Sequence, residues 1–242
     1  MLNFHSTKMK ALAVSAALLS SLLFLTTSLR AQSGALQQRV GELKDSIAKN
    51  KLALAQYTWT EQLTIILKGQ TKKTEHFQVR IGPDGKQQKT SLDSPPQAAP
   101  APHGRLRQRI VEEKKEEYKD YADQMKALAQ QYIPPDKDAI QSAYSKGNAS
   151  FSPGSGVPGD ISIVIKNYVK PNDSMTIVFN KDRKQISAIR IASYMDDPTD
   201  AMNLSVEFAD LPDGTSHVSS VVIEGVRKQL TIQTQNSNYR KL

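Results

Sequence analysis

The sequence YTWTEQLTIILKGQTKKTEHFQVRIGPDGKQQKT, residues 57–90, carries the clearest strand pattern of the chain. From Tyr57 to Leu67, mostly apolar side chains recur at every second position, which is the period of a β-strand with one buried face. Gly69-Gln70 supplies a turn, and Gly82-Pro83-Asp84-Gly85 is strong hairpin punctuation. We therefore expect three strands, near 57–67, 71–81 and 86–92, and such short turns make them antiparallel.

The second half of the chain contains only strand signals after residue 160. Turn sequences such as Lys170-Pro171-Asn172-Asp173 and Leu211-Pro212-Asp213-Gly214 separate short apolar runs. These runs predict six further strands, at 161–169, 175–180, 185–194, 202–209, 217–224 and 228–235. Because short turns join them, the whole chain is expected to form an antiparallel sheet of about nine strands.

Helical signals lie on either side of the first three strands. Apolar residues at helical spacing predict an amino-terminal helix over 35–56, and a helical insertion over 105–146 that consists of two helices. The segment 93–104 contains four prolines and is expected to be an exposed linker. The segment 151–160 is rich in Gly and Pro and is expected to be flexible.

This order of elements favours an α+β fold over a β-sandwich. A sandwich would leave the tyrosine-bearing helix of the insertion without a surface on which to bury its apolar stripe. We therefore predict a curved antiparallel sheet, an unclosed half-barrel. Its concave face would be covered by the amino-terminal helix and the helical insertion, and residues 32–242 would form a single domain.

Residues 1–31 have the pattern of a secretory signal peptide. Lys8 and Lys10 form a basic region, and an uncharged, small and apolar run extends from Ala11 to Leu25. The run is too short to span a bilayer, and cleavage after Ala31 is preferred. We expect a periplasmic or secreted protein that is soluble after cleavage; an uncleaved membrane anchor is the alternative.

Composition narrows the classes of function. The formal net charge of +8 falls to +5 once the signal peptide is removed, with 29 basic against 24 acidic residues, so nucleic-acid binding has little support. The chain has no cysteine, which excludes disulfides, thiol nucleophiles and a lipid-anchoring cysteine. Large aliphatic residues and Phe make up roughly one fifth of residues 32–242, so the core must be thin or concentrated.

No motif for bond chemistry is present. The histidines, His5, His76, His103 and His217, are too far apart in sequence for a local metal motif. There is no serine-nucleophile motif, and the paired acids lie in a turn and on a charged helix face where water would solvate them. We therefore predict a protein that is not an enzyme and carries no metal or cofactor.

What remains is an apolar and aromatic surface on the predicted sheet. A cavity between sheet and helices would be lined by Trp59, Leu63, Ile65, Phe179, Phe208 and Ile223. The competing interpretation is that these side chains pack together as an ordinary core.

The layout resembles a known superfamily. The run at 57–90, the helical insertion and the late meander containing VEFADLPDGT, residues 206–215, are similar to the LolA/LolB-like periplasmic lipoprotein carriers and related envelope sensors. The resemblance implies a half-barrel whose concave side binds acyl chains. It leads us to expect a non-enzymatic envelope protein that binds a lipid, a lipoprotein acyl chain or another apolar chain, with peripheral membrane contact at most. The alternative is an envelope structural or protein-interaction module with a filled core, whose partners would be envelope proteins.

Overall fold

A computed structural model describes residues 49–94, 105–154 and 157–242. The predicted signal peptide and most of the predicted amino-terminal helix lie outside the described residues, as does the linker from residue 95 to residue 104. The described residues all belong to one compact unit.

The described residues contain helical and strand elements close to the predicted ones. Helix α1 comprises residues 49–54, the described end of the predicted amino-terminal helix. Helices α2 and α3 span Arg105–Gln130 and Lys137–Ser145. The strands are β1 Tyr57–Leu67, β2 Gln70–Ile81, β3 Gln87–Ser91, β4 Ala149–Pro153, β5 Asp160–Lys166, β6 Ser174–Asn180, β7 Gln185–Tyr194, β8 Ala201–Asp210, β9 Ser216–Gly225 and β10 Leu230–Lys241.

All ten strands belong to one antiparallel sheet. Their order is β3-β2-β1-β10-β9-β8-β7-β6-β5-β4, so strands from the two ends of the described chain meet where β1 pairs with β10. The two edge strands, β3 and β4, do not pair with each other, and the sheet is an unclosed half-barrel. The predicted fold class is confirmed.

The strands differ from the prediction mainly in three places. Strand β5 ends at Lys166 rather than at 169. Strand β4 was not predicted, and its last three residues fall in the segment 151–160 that we expected to be flexible; its one large apolar residue, Phe151, gives no periodic signal, and pairing with β5 supplies the missing order. Strand β10 extends to Lys241 rather than ending at 235, and its polar final residues are held by pairing with β1, where Tyr57 lies opposite Lys241.

The concave face of the sheet is built from rows of directly opposed apolar residues. Because opposed residues in antiparallel strands share a face, a single row can be followed across seven strands. It consists of Ile65, Ile232, Ile223, Leu204, Ile191, Met175 and Ile165. The thin core predicted from composition is thus concentrated on one face of the sheet.

Helix α2 lies across the concave face. Its buried residues Tyr121, Met125 and Leu128, and Tyr132 in the turn that follows, occupy the predicted helical stripe. The helix approaches β9 so closely at Gly225 that a β-carbon there would lie 2.5 Å from Tyr121 Cε1 and 2.9 Å from Met125 Sδ. Glycine is therefore the residue that this helix crossing requires.

Helix α3 packs over the β4–β5 edge of the sheet. It begins at Asp136, whose side chain accepts a hydrogen bond of 2.7 Å from the amide of Ala139. Ile140 and Ala143 form its buried face. Helix α2 thus contacts β9 and α3 contacts β4 and β5, and the space between α2 and the sheet is the place to search for a site.

Candidate functional site

An apolar cavity of about 450 Å³ lies between the end of α2 and the concave face of the sheet. Its size is typical of a small-molecule site. The sheet contributes Ile186, Ile189, Leu204, Val206, Phe208, Val218, Val221 and Ile223, and the helix with its following turn contributes Lys126, Ala129, Gln130, Ile133, Pro134 and Pro135.

The floor of the cavity comes from alternating residues of β7, β8 and β9. Leu204 and Val206 are 3% exposed and form its deepest part. Phe208, Val218 and Val221 are only half-buried and line its outer part. A register shift after Glu207 brings Phe208 opposite Val218, so the apolar surface continues towards the end of β8.

The wall formed by α2 is apolar except at its mouth. Ala129 and the turn residues Ile133, Pro134 and Pro135 face the floor, whereas Lys126 and Gln130 are the polar members of the lining. The Lys126 side chain is about half exposed, and its Nζ lies 3.5 Å from Asp123 Oδ1. The site therefore offers desolvation to an apolar group, with a hydrated cation at its entrance.

Two buried tyrosines, Tyr121 in α2 and Tyr132 in the turn after it, bind carboxylates in the turns that join strands of the sheet. Tyr121 Oη donates to Asp200 Oδ1 at 2.7 Å, and Tyr132 Oη donates to Asp173 Oδ2 at 2.6 Å. Burial raises the pKa of both tyrosines, and the hydrogen bond to each carboxylate adds to the rise. Both hydroxyls therefore stay protonated and act as donors.

Asp173 is the better fixed of the two acceptors. It is 2% exposed, and its carboxylate also accepts hydrogen bonds from the amides of residues 168, 169 and 170 at 2.6–2.9 Å. Tyr132 Oη additionally lies 2.8 Å from Ser193 Oγ. Because these polar contacts fix the distance between α2 and the sheet, the helix cannot move inward to close the cavity without breaking them.

The structure brings two of the six predicted site residues to this cavity. Phe208 and Ile223 line it. Ile65 on β1 belongs to the same row as Ile223 on β9, with Ile232 of β10 between them. Leu63 lies in the neighbouring row, opposite Thr234. Both β1 residues are half-buried and are not part of the lining.

The two other predicted site residues are fully buried in the core. Phe179 is 2% exposed, opposite Ile186. Trp59 is also 2% exposed, and its ring stacks on Tyr239 with a centroid distance of 5.4 Å. Neither contributes to the lining of the cavity, and a ligand-binding role for all six residues stays a prediction.

Sequence reasoning missed most of the residues that build the site. Ile189, Leu204, Val206 and Val221 all occupy the inward positions of strands that were predicted, so their alternation was available as a signal. The contribution of the turn after α2 had no such signal, because nothing in the sequence says where that turn meets the sheet.

Two searches of the described residues bear on other chemistries. In this part of the chain, no group of three or more His, Cys, Asp or Glu side chains is placed to hold a metal ion. Among the helices of the same residues, none is long and apolar enough to cross a membrane.

Comparisons with known proteins give one distant structural neighbour. No protein-family model and no curated protein sequence matches the chain. Among solved structures, the fold is similar to that of a DUF1329 family protein from Desulfovibrio piger, with a TM-score of 0.38 and 10% sequence identity. The similarity covers 83% of this chain and 92% of that chain, and no functional conclusion follows from a likeness of this size.

Proposed function

We propose that this protein binds the apolar chain of a lipid or similar amphiphile in the cavity beside α2, without carrying out bond chemistry. The observation that carries the proposal is the lining of the cavity, in which aliphatic and aromatic residues of β7–β9 meet an apolar helix wall. The resemblance of the sequence layout to the LolA/LolB-like carriers points in the same direction.

Affinity would come from removing the ligand's methylene groups from water. Each buried methylene contributes about 0.8 kcal/mol of favourable free energy. The sum of these contributions must exceed the free-energy cost of the translational and rotational freedom that the ligand loses on binding. A chain of about ten methylenes or more is therefore the expected ligand. Its polar head would remain at the mouth near Lys126 and Gln130, where water solvates it.

We also propose that the chain acts outside the cytoplasm, in the periplasm or as a secreted protein. The support is the basic and then apolar pattern of residues 1–31. Amino-terminal sequencing of exported protein should begin near Gln32. Recovery of the chain with Met1 retained in a membrane fraction would contradict this proposal.

The binding proposal is tested with cis-parinaric acid, a fluorescent fatty acid whose emission increases in an apolar site. Val221 and Val222 are neighbours on β9, but Val221 lines the cavity and Val222 faces the opposite side of the sheet. Val221→Phe should fill the cavity and raise the dissociation constant at least about tenfold. Val222→Phe is the matched control and should leave binding unchanged.

The outcomes separate the two interpretations left open by the sequence. Saturable binding that Val221→Phe weakens and Val222→Phe preserves supports a ligand cavity. Absence of binding by the folded protein, or equal loss in both variants, favours the structural or interaction module. Circular dichroism of each variant verifies that the sheet is retained.

A further inference from the structure

A second surface feature lies where α1, the β2–β3 turn and the end of β10 meet. A groove of about 800 Å³ there is lined by Lys51, Leu52, Ala55, Arg80, Ile81, Gly82, Pro83, Gly85 and Leu242. Leu52 is 75% exposed and Leu242 is 74% exposed, the two most exposed large apolar side chains among the described residues. We call this groove and the basic residues around it the α1 patch.

The α1 patch is strongly basic. Lys49, Lys51, Arg80, Lys86 and Arg240 are all exposed, and within the described part of the chain none of them forms an ion pair with an acidic residue. Arg80 and Arg240 lie opposite Thr58 from its two sides, so both project from the same face of the sheet. Arg80 and Arg240 are therefore neighbours on one face of the sheet. The β2–β3 turn also carries one carboxylate, Asp84, which accepts a hydrogen bond from the amide of Lys86 at 3.1 Å.

The backbone under the patch is fixed by hydrogen bonds. Asn50 donates to the carbonyl of Ser216 and accepts from the amide of the same residue at 2.7 Å, which ties α1 to β9. The amide of Leu242 donates to the carbonyl of Gln56 at 2.8 Å. The backbone of the α1 patch is thus held in place before binding, so little conformational entropy is lost when the patch binds a partner.

We propose that the α1 patch docks on the surface of an anionic phospholipid bilayer. Cations attract anionic headgroups, and exposed leucines between them can enter the boundary between headgroups and acyl chains. Both leucines line the groove and still expose about three quarters of their surface, which favours insertion into a fluid surface over a fitted protein interface. This docking goes beyond the proposed ligand cavity, because none of its residues lines that cavity.

The test is co-sedimentation with vesicles of phosphatidylcholine alone or mixed equally with phosphatidylglycerol. The protein is produced from its full-length sequence, and all variants are compared in the same processed form. The unchanged protein should bind the anionic vesicles and not the neutral ones. In about 0.5 M NaCl, where the Debye length falls to about 4 Å, most of the binding should be lost.

Variants locate the docking surface. Lys51→Glu combined with Arg80→Glu should weaken the partition to anionic vesicles at least about tenfold, because two attractions become repulsions. Leu52→Ser should weaken it about fivefold through loss of apolar contact. The matched charge control is Lys146→Glu combined with Lys166→Glu, both exposed and distant in the sheet order, which should bind as the unchanged protein does.

The result is independent of the ligand cavity. Val221→Phe should lose cis-parinaric acid and still sediment with anionic vesicles, so failure of one proposal does not imply failure of the other. Equal binding to neutral and anionic vesicles, no binding at all, or equal losses in the patch and control variants would overturn the docking proposal. If the α1 patch bound an acidic protein and did not bind vesicles, the docking proposal would be wrong and the partner would be a protein instead of a bilayer.

Discussion

Two regions of the concave face differ in packing: side chains fill the region around Trp59, whereas the region beside α2 contains a cavity. Around Trp59, large rings occupy the space. The ring of Trp59 stacks on that of Tyr239, and the ring of Tyr239 also contacts the ring of His217, with a centroid distance of 4.1 Å. Beside α2, the inward residues of the sheet are aliphatic side chains and Phe208, and open space remains between them and the helix.

The difference shows that polarity does not decide where a cavity forms. Both regions present inward apolar residues, and the filled region even contains a buried tryptophan whose Nε1 has no hydrogen-bond partner among the described residues. Because the open region also contains large side chains such as Leu204 and Phe208, what differs is the distance of the covering element from the sheet. Tyrosine–aspartate hydrogen bonds set that distance for α2.

The largest expected effect is truncation in the filled region. Trp59→Ala should lower the free energy of unfolding by about 3–5 kcal/mol, because it leaves a cavity where the ring was fully buried. Trp59→Phe should cost much less, since no hydrogen bond to Nε1 is lost. Urea denaturation measures both values, and a cost for the phenylalanine variant equal to that for alanine would contradict the filled-region interpretation.

The next effect concerns what holds the open region apart. Tyr132→Phe removes the donor to buried Asp173 and should lower the free energy of unfolding by about 1–3 kcal/mol. Tyr144→Phe is the control, because among the described residues the hydroxyl of Tyr144 makes no hydrogen bond. Tyr132→Phe should also weaken cis-parinaric acid binding as the wall loosens, whereas an unchanged affinity would show that the anchor does not shape the cavity.

Truncation of a side chain in the open region should lower the free energy of unfolding less than truncation in the filled region, and it should weaken ligand binding. Phe208 is half-buried, so Phe208→Ala should cost about 1–2 kcal/mol of unfolding free energy, well below the cost of Trp59→Ala. It should also raise the dissociation constant for cis-parinaric acid. A stability loss as large as that of Trp59→Ala would mean that the open region is filled in solution.

The smallest effect is a pH dependence at the edge of the filled region. Tyr57 Oη donates to Asp213 Oδ2 at 2.5 Å, and this bond, followed by those from Thr215, lowers the pKa of Asp213 to about 2 from its ordinary 3.8. A lowered carboxyl pKa stabilises the fold above the ordinary value, and this contribution is lost as the pH falls through about 4 to about 2. Tyr57→Phe should raise the pKa of Asp213 in an NMR titration; an unchanged pKa would assign the shift to Thr215.

The sequence by itself determined the type and most boundaries of the elements. Alternation of apolar and polar residues from Tyr57 to Leu67 and in the late meander predicted strands, because a strand with one buried face has an apolar residue at every second position. The tyrosine stripe of α2 specified a buried helix face in the same way. Strand β4 escaped because its pairing with β5, and not its own residues, makes it a strand.

Only the tertiary structure decided which inward residues meet a cavity. Alternation places Trp59, Phe179, Phe208 and Ile223 on inward positions, but it contains no information about what lies above them. The pairing of β1 with β10 and the crossing of α2 over Gly225 bring together residues far apart in sequence. The first of these contacts stacks Tyr239 on Trp59, while Phe179 is buried opposite Ile186. Phe208 and Ile223 lie beside open space, because cavity formation depends on distances between elements that no local pattern encodes.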